Sequence, residues 1–443
     1  MTNASRPKII VLDDDPTGSQ TVHSCLLLTR WDIDNLKIAL LDDSPIFFVL
    51  TNTRALTAPE AVAVTEEVCR NLQVALAETG TGEFLVVSRS DSTLRGHYPL
   101  ETDAIANILG DFSAHFLTPA FFEGGRFTKD SIHYLMVNGV PTPVHLTEFA
   151  KDSVFAYSHS YLPAYVEEKT KGRIPADRVL RLSLPDIRQG CLAKLLTLEN
   201  NICVVVDSET QADMNLFARD VLQAVQMGKK FLFRSAASLL TALAQLPPQP
   251  VPPTAMAEYR PTSAPGVILV GSHVRKTTAQ LEELLQEPQL VPIELAVAKL
   301  LQPDGFVFLL ESAYQRIHHA HSQDQTPVIF TTRQELQFPD VTARMAFGQQ
   351  VSQLLMAIVR HLPANISFLI SKGGITSNDV LSSGLQLPRA RLLGQIIPGC
   401  SVIITPPDHP QFPNIPVVLF PGNVGDRDGL RLVYQRLQKR PGT

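Results

Sequence analysis

Short apolar runs alternate with amphipathic segments along most of this 443-residue chain, and this alternation limits the folds that are open to it. Apolar runs of a few residues are typical of buried strands, whereas intervening segments such as Pro59–Leu76 and Gln211–Met227 carry the longer helical period. Strand, loop, helix and strand in succession form a mostly parallel sheet covered by helices. The sequence therefore predicts an α/β fold.

A proline-rich stretch, Leu246–Gly266 (LPPQPVPPTAMAEYRPTSAPG), separates two halves of similar style. Its prolines remove backbone donors and disfavour both helix and central strand, so it is interpreted as a stiff, extended linker. We expect two domains, residues 1–245 and 267–443, joined by the linker 246–266. Each domain is predicted to be a mostly parallel sheet flanked by helices, with a ligand cleft between the two domains.

Ligands in such sheets bind beyond the carboxyl ends of the strands, so polar residues that follow apolar runs are the candidates for function. The predicted strands are Lys8–Leu12, Ile46–Leu50, Phe84–Val87, Phe116–Thr118, Ile202–Val206 and Phe231–Phe233 in the first half, and Val267–Val270, Pro292–Leu295, Phe306–Leu310, Val328–Thr331, Phe368–Ile370, Ser401–Ile404 and Val417–Phe420 in the second.

Composition and net charge argue against several classes of function. A net charge of -5 argues against a broad basic surface, and hence against nucleic acid as the main partner. The five cysteines are scattered and include no C-x-x-C pair, which indicates a reduced cytoplasmic protein without a zinc site. No apolar run is long enough for a membrane span, and the apolar run before Asp13 is too short for a signal peptide. The sequence leaves open whether the chain forms a homodimer.

Five loops of the first half combine carboxylates, arginines and hydroxyls. They are DDDPTG at 13–18, TNTRAL with Arg54, SRSDSTLRGH at 88–97, TPAFFEGGRFTKD at 118–130 and MVNGVPTPVHLTEFAKD at 136–152. Arginine forks hold carboxylates, and acidic side chains accept hydrogen bonds from hydroxyls, so this mixture suits a small, polar, acidic ligand. Helix caps and surface ion pairs are the structural alternatives for the same residues.

The opening acids also have an alternative interpretation. Asp13-x-Asp15-x-Thr17 after an apolar strand matches the D-x-D-x-T pattern of haloacid-dehalogenase-type phosphatases, in which Asp13 would be the nucleophile. The strand FFVLTNT, Phe47–Thr53, supplies a second motif of that group. However, no convincing late acidic pair follows to hold magnesium, and this interpretation leaves the second half without a role.

Three glycine-bearing loops follow apolar strands in the second half. They contain Gly271-Ser272, Gly373-Gly374 and Gly422 with Gly425, and the second precedes a helix start predicted at Thr376 or Ser377. Glycine lets backbone N–H groups approach a phosphate closely, so the set predicts a nucleotide site. The segment GSHVRKT from Gly271 is not a P-loop, because the glycine before the lysine is missing.

Taken together, DDDPTGSQ, SRSDSTLRG, VNGVPTPVHLTEFAKD, SKGGITSNDV and FPGNVGD resemble the four-carbon acid sugar kinases, in family order from Ile9 to Gly429. The resemblance implies an N-terminal acid-sugar-binding domain and a C-terminal ATP-binding domain. It also implies ATP-dependent phosphorylation of threonate, erythronate or a 3-oxo-tetronate at the terminal hydroxyl, with Mg²⁺. A non-catalytic metabolite-binding protein is the remaining alternative.

Carried over by motif, the resemblance assigns two residue sets. The predicted substrate-binding residues are Asp14, Asp15, Arg54, Arg89, Ser90, Asp91, Ser92 and Thr93, and the predicted ATP-binding residues are Ser272, Gly373, Gly374, Ile375, Thr376, Gly422 and Asn423. This chain departs from the family in having Pro16 in place of an aromatic residue, an additional acid at Asp13, and Arg89 in place of lysine. These changes concern the identity of the sugar acid.

Phosphoryl transfer needs positioning and charge neutralisation more than covalent help. Asp15 is the hypothesised base for the attacking hydroxyl, with Asp91 and Asp379 as rivals. Lys372 or Arg89 would neutralise charge on the transferred group. The sequence assigns no metal ligands.

Overall fold

The computed structural model of the protein describes residues 6–15, 18–19, 21–334, 336–422 and 424–438. Within these residues the chain divides into two units, with the boundary between Pro247 and Pro248. The predicted α/β class, with mostly parallel strands and flanking helices in each unit, is confirmed. The ligand cleft expected from the sequence stays a prediction.

The N-terminal unit is built on an eight-stranded sheet in which every pairing is parallel. Its strands are β1 (Lys8–Asp13), β2 (Leu26–Leu28), β3 (Ile46–Leu50), β4 (Phe84–Arg89), β5 (Ala114–Thr118), β9 (Leu180–Leu182), β10 (Ile202–Val206) and β11 (Phe231–Ser235). The spatial order is β2-β3-β1-β4-β11-β5-β10-β9. The strands predicted for this half all occur, with small shifts at their ends.

Helices cover this sheet, which is why its central strands are apolar on both faces. They are α1 (Ile33–Leu40), α2 (Ala58–Thr79), α3 (Leu100–Leu109), α4 (Leu162–Lys169), α5 (Leu184–Gln189), α6 (Leu192–Leu196), α7 (Gln211–Gln226) and α8 (Ala237–Ala244). Local sequence explains their ends. In α2, for example, a capping box of Thr57 and Glu60 begins the helix, and Gly80 in the left-handed conformation ends it.

A small antiparallel sheet, absent from the sequence prediction, follows β5. It consists of β6 (Arg126–Lys129), β7 (Ile132–Val137) and β8 (Val140–Pro143) in sequential order. All three strands are only partly buried. β6 and β8 carry no continuous apolar run, so the apolar-run criterion could not find them, whereas β7 contains the run YLMV and was overlooked.

The C-terminal unit has a seven-stranded mixed sheet in the order β13-β14-β12-β15-β18-β17-β16. The strands are β12 (Val267–Val270), β13 (Leu290–Leu295), β14 (Thr326–Thr331), β15 (Leu369–Lys372), β16 (Arg389–Ile397), β17 (Cys400–Ile404) and β18 (Pro416–Phe420), and the helices are α9 (Arg275–Leu284), α10 (Gly305–Ser322), α11 (Val341–Arg360), α12 (Gly374–Asp379) and α13 (Gly429–Gln438). The β16–β17 and β17–β18 pairs are antiparallel, and the others are parallel.

Strand order reverses at the first strand of each unit. β1 lies between β3 on one side and β4 on the other, and β12 lies between β14 and β15. At such a reversal the loops that leave neighbouring strands run to opposite faces of the sheet and open a crevice at the carboxyl edge. Asp13 ends β1, and Asp14 and Asp15 lie in the loop that follows it. Gly271 lies in the loop that follows β12.

The prediction of a strand at Phe306–Leu310 was wrong, because these residues begin helix α10. A short apolar run does not distinguish a buried strand from a helix. The buried positions Gly305, Leu309, Ala313 and Ile317 recur every four residues, whereas Phe308 is 52% exposed. Only one face of this apolar segment therefore packs into the core, as in an amphipathic helix.

The proline-rich segment is not uniformly extended. Residues Pro253–Tyr259 form a 3₁₀-helix, and Met256 within it is fully buried in the core of the C-terminal unit. Arg260, only 8% exposed, donates hydrogen bonds to Ser367 Oγ, Leu437 O and Ala264 O. The segment after Pro247 is therefore packed against the C-terminal unit. No helix that the structure describes is long and apolar enough to cross a membrane.

Replacing Arg260 with Met should destabilise the C-terminal unit, because three backbone or side-chain acceptors lose a charged donor. A hydrogen bond to a charged group contributes about 1.5–3 kcal/mol. We expect the free energy of unfolding to fall by ~3 kcal/mol, measured by urea denaturation with circular dichroism.

Arg316→Met is the matched control, because the exposed Arg316 donates only to Pro292 O. This variant should lose less than about 0.5 kcal/mol. Equal losses in the two variants would contradict an anchoring role for Arg260.

Candidate functional site

Asp13 and Arg89 form a buried ion pair where β1 and β4 end. Parallel pairing sets the two residues side by side, and Arg89 Nη1 donates to Asp13 Oδ1 at 3.1 Å. Burial raises the pKa of the Asp13 carboxyl to about 7, and the Arg89 charge opposes this increase only in part. The pair is thus held in a poorly solvated position at the reversal of strand order.

Gly18 closes over this ion pair. A β-carbon at Gly18 would overlap the carboxylate oxygens of Asp13 and Nη1 of Arg89, so the close approach requires glycine. The Asp13 side chain is completely buried. Because a phosphatase nucleophile must reach the phosphorus of its substrate, this enclosure argues against that role for Asp13.

A chain of buried hydrogen bonds positions Asp14. Ser90 Oγ donates to Asp14 Oδ2 at 2.6 Å and accepts from Arg234 Nη2 at 2.8 Å. Arg234 Nη1 in turn donates to Glu101 Oε2 at 2.6 Å and to Ser88 Oγ at 2.7 Å. Since every member of this chain is buried, it fixes the orientation of the Asp14 carboxylate.

Sequence reasoning missed Arg234 and Glu101. Arg234 directly follows the predicted strand Phe231–Phe233, so the criterion of a polar residue after an apolar run could have found it. Glu101 lies in the first turn of α3 and shows no such signal, because it reaches the site only through the fold.

Arg54 lies among three carboxylates. Its Nη2 is bonded to Asp15 Oδ2, and its Nη1 is 3.9 Å from Asp14 Oδ1 and 3.8 Å from Asp91 Oδ1. Asp15 is the most solvent-accessible of the three acids, with 22% of its side chain exposed, against 1% for Asp14 and 14% for Asp91. Asp15 is thus the best placed of them to meet a ligand.

Asp91 is strongly held in its charged form. Arg95 Nε donates to its Oδ2 at 2.7 Å, and the Thr93 hydroxyl also donates to it. Burial alone would raise the pKa of Asp91, but the charges of Arg54 and Arg95 outweigh burial and hold the pKa well below its usual range. Asp91 is therefore a poor proton acceptor but a firm acceptor of hydrogen bonds.

Hydrogen bonds to its backbone carbonyl groups hold the loop that carries Ser92 and Thr93 in place. His133 Nε2 donates to Ser92 O at 2.8 Å, while its Nδ1 accepts from Thr128 Oγ1 at 2.9 Å. The Tyr157 hydroxyl donates to Thr93 O at 2.7 Å. His133 thus has a structural role.

The structure brings six of the predicted substrate residues together at one edge of the N-terminal sheet: Asp14, Asp15, Arg54, Arg89, Ser90 and Asp91. Ser92 and Thr93 adjoin them and are almost completely buried. Pro16 and Thr17 lie outside the described residues. The arrangement offers an acidic, hydrogen-bond-accepting surface with arginines beside it, which suits a ligand with several hydroxyls and a negative charge.

The three predicted glycine loops of the C-terminal unit meet at the carboxyl edge of its sheet. A β-carbon at Gly271 would overlap Thr376 Oγ1, and one at Gly422 would lie 3.1 Å from Ser272 Oγ. Thr277 Oγ1 joins two of the loops, because it lies 3.1 Å from Ser272 Oγ and donates to Gly422 O at 3.0 Å. The close approach of these loops depends on their glycines.

The turn after β15 differs slightly from the prediction. Gly373 has a φ of 128°, and helix α12 begins at Gly374, two residues before the predicted start at Thr376. Ile375 in the same turn is 74% exposed. Asn423, also predicted to bind the nucleotide, lies outside the described residues.

A cavity of about 530 Å³ adjoins the loops of Gly271 and Gly373. One part of its wall consists of residues 271–274 and 373–376. The other part is mainly apolar and comes from α11 and the residues before it: Leu336, Phe338, Phe347, Val351, Leu355 and Met356. A cavity with glycine loops at one end and aromatic side chains at the other fits a ligand with an anionic part and a flat apolar part.

Lys372, the predicted neutraliser of phosphate charge, is completely buried beside this cavity. Its Nζ donates to Pro421 O at 2.6 Å and to Gly422 O at 3.2 Å, and it lies 4.0 Å from the centre of the Phe420 ring. Burial lowers its pKa to about 7. In this geometry Lys372 holds the Gly422 loop in place, and its contact with a transferred phosphoryl group stays a prediction.

Arg333, which the sequence reasoning missed, holds the Ser272 loop from the other side. Its Nη2 donates to Ser272 O at 2.6 Å, and its Nε donates to Thr278 Oγ1 at 3.2 Å. Arg333 follows β14, so the criterion of a polar residue after an apolar strand could have found it, as it found the other candidates. Among the described residues, no group of three or more His, Cys, Asp or Glu side chains is placed to hold a metal ion.

Comparison with known proteins identifies both domains. The sequence profile of a sugar-binding N-terminal domain matches residues 9–243, and that of a nucleotide-binding C-terminal domain matches residues 267–430. The chain is 29% identical over 223 residues to a D-erythronate kinase of Heliobacterium modesticaldum, covering 47% of each chain. It is 26% identical over 189 residues to a D-threonate kinase of Bordetella bronchiseptica, covering 40% of this chain and 44% of the relative. The matched region spans less than half the length of these curated relatives.

The fold also occurs in solved structures. A protein of Salmonella typhimurium LT2, provisionally named a tRNA synthase, matches with a TM-score of 0.69 and covers 96% of this chain and 98% of its own. At 19% identity this similarity shows the fold alone. Because the two domain profiles match in the expected order and together cover most of the sequence, the chain belongs to the four-carbon acid sugar kinase family.

Proposed function

We propose that this protein is an ATP-dependent kinase that phosphorylates the terminal hydroxyl of a four-carbon sugar acid, such as threonate, erythronate or a 3-oxo-tetronate. The observation that carries the proposal is the cavity in the nucleotide-binding domain, which two glycine loops line and against which the third, at Gly422, packs through Ser272. The names of the two curated relatives support the choice of acceptor.

The cavity of the C-terminal unit would hold ATP. The base would lie between apolar side chains such as Phe338 and Phe347, and the phosphates would extend along the glycine loops. The backbone N–H groups of Gly271 and Gly373 already donate to Lys372 O and Phe420 O, so the N–H groups at the start of α12, beginning with Gly374, are those that would approach phosphate oxygens. The hydroxyl of Ser272 adds a side-chain donor at the same place.

Mg²⁺ bound with the nucleotide would offset the charge of its phosphates. Such an ion needs only one or two protein carboxylates, because phosphates and water complete its coordination, so the donor set present is compatible with it. Asp379 is the one carboxylate among the described residues that line the cavity. Its side chain already accepts a hydrogen bond from Ser352, which would orient it.

The acceptor would bind at the carboxylates of the N-terminal unit, and Asp15 would take the proton of its attacking hydroxyl. Asp15 is the most exposed acid of the cluster, and Arg54 orients it. Asp91 fits this role less well, because two arginines stabilise its charged form. Asp14 is buried behind Ser90 and would instead orient the neighbouring groups.

The first test is substrate-dependent formation of ADP. With Mg-ATP and a panel of tetronates and 3-oxo-tetronates, at least one acid should raise ADP formation well above the rate without acid. Bound ATP with no ADP formation for any acid would indicate another acceptor. Release of phosphate from phosphorylated sugars without ATP binding would support a phosphatase.

Asp15→Asn should abolish turnover while nucleotide affinity stays nearly unchanged, because the amide cannot accept the proton. Removal of a general base lowers kcat by about 10²–10⁴-fold. Steady-state kinetics and calorimetric titration with a non-hydrolysable ATP analogue measure the two quantities. Loss of nucleotide binding in this variant would assign Asp15 to the nucleotide or its metal ion instead.

Gly271→Ala should weaken nucleotide binding, because the new methyl group would overlap Thr376 Oγ1 and displace both loops. Overpacking of this kind costs about 1–3 kcal/mol, which corresponds to roughly 5- to 150-fold in affinity. Titration with the ATP analogue measures the change. Gly82→Ala is the matched control, since no atom lies within 4 Å of its added β-carbon. Unchanged affinity in Gly271→Ala would show that the ligand does not use these loops.

A further inference from the structure

Arginines at the carboxyl edge of the N-terminal sheet are nearly all paired with acids. The pairs are Arg54 with Asp15, Arg89 with Asp13, Arg95 with Asp91, and Arg234 with Glu101. Arg126, the first residue of β6, has no carboxylate partner among the residues that the structure describes. Its Nη1 donates to the Gly124 carbonyl, and its Nε is buried without a hydrogen-bond partner.

The register of the small antiparallel sheet places the Arg126 side chain next to the site. Arg126 and Thr128 are two residues apart on β6, so their side chains lie on the same face. Thr128 Oγ1 contacts His133 of β7, and His133 donates to Ser92 O. The face that carries Arg126 is therefore the one that contacts the loop of Ser92.

Electrostatics favour an additional negative charge beside Arg126. Burial lowers the pKa of its guanidinium; the charges of Asp91 and Glu148 oppose this effect without cancelling it, and the positive charge of Arg95 reinforces it. A half-buried guanidinium without a counter-ion is unfavourable, and a bound carboxylate would compensate it with two parallel hydrogen bonds. The other four arginines have little spare capacity for this task, since each already binds an acid of the protein.

We propose that Arg126 binds the carboxylate of the substrate and thereby selects sugar acids over neutral polyols. This inference rests on the proposed function for the identity of the ligand. The carboxylate end of the acid would contact Arg126, while its hydroxyls would contact the acids around Arg54. Arg126 would then determine affinity and specificity without taking part in phosphoryl transfer.

The test compares acids with the matching polyols in four proteins: wild type, Arg126→Gln, Arg126→Lys and the control Arg173→Gln. Arg173 is an exposed arginine paired with Asp103 at the surface of the same unit. Calorimetric titration with D-erythronate, D-threonate, erythritol and threitol measures affinity, and steady-state kinetics separate KM from kcat. Melting temperature and titration with the ATP analogue report whether each variant is folded.

For Arg126→Gln we expect a loss of acid affinity of about 10- to 100-fold, the range for a lost hydrogen-bonded charge partner. KM for the acid should rise by a similar factor, with kcat changed much less. Polyol affinity should not change. Arg126→Lys should lie between wild type and Arg126→Gln, because lysine keeps the charge but not the fork. It also provides the test if Arg126→Gln does not fold.

The outcomes separate this inference from the proposed function. If wild type phosphorylates an acid and both Arg126 variants bind that acid normally, the inference is overturned and the kinase proposal stands. Equal losses for acid and polyol would also overturn it, since they indicate distortion of the site. If wild type phosphorylates no acid but binds erythronate through Arg126, the inference stands and the kinase proposal falls. If wild type binds no acid at all, both are overturned.

Discussion

The reversal of strand order in each sheet is the constraint on which the rest of this structure depends. β1 has β3 and β4 as neighbours, and β12 has β14 and β15, so the loops after these strands diverge to opposite faces. The crevice that results lies at the carboxyl edge, where neighbouring strands bring their following residues together. Asp13 meets Arg89 at one reversal, and Gly271 meets Thr376 at the other.

Burial of charge shapes the N-terminal site. Ion pairs such as Asp13–Arg89 and Glu101–Arg234 are costly to desolvate, and each buried charge is compensated by its partner. Glu101 and Arg234 also have further hydrogen bonds, whereas Asp13 Oδ2 and Arg89 Nε have none among the described residues. These buried ion pairs hold the more exposed Asp15, Arg54 and Asp91 in fixed positions. A site that is ordered before the ligand arrives loses less conformational freedom on binding. The C-terminal site is ordered differently. Its loops lie close together because glycines at the contacts have no side chains.

Much of the fold and part of the site could be predicted from local sequence. Buried parallel strands appear as continuous apolar runs, and the functional loops directly follow them, so Asp15, Arg54 and Ser272 were found in this way. The same criterion failed where a short apolar run belonged to an amphipathic helix, as in α10, and where strands lacked such runs, as in β6 and β8. Arg126 lies on one of these unrecognised strands. Its side chain became a candidate for ligand binding only when the structure placed it next to the Ser92 loop.

The sequence by itself determined the α/β class, the two-domain organisation and the loops that carry chemistry, because strand burial and loop position follow from local patterns of apolar and polar residues. Only the tertiary structure decided which charges pair, which remain accessible and which carry no partner. Ion pairing joins residues distant in the chain, as with Arg234 and Glu101. Coulomb energies depend on distance and burial in space, and neither quantity can be read from spacing along the chain.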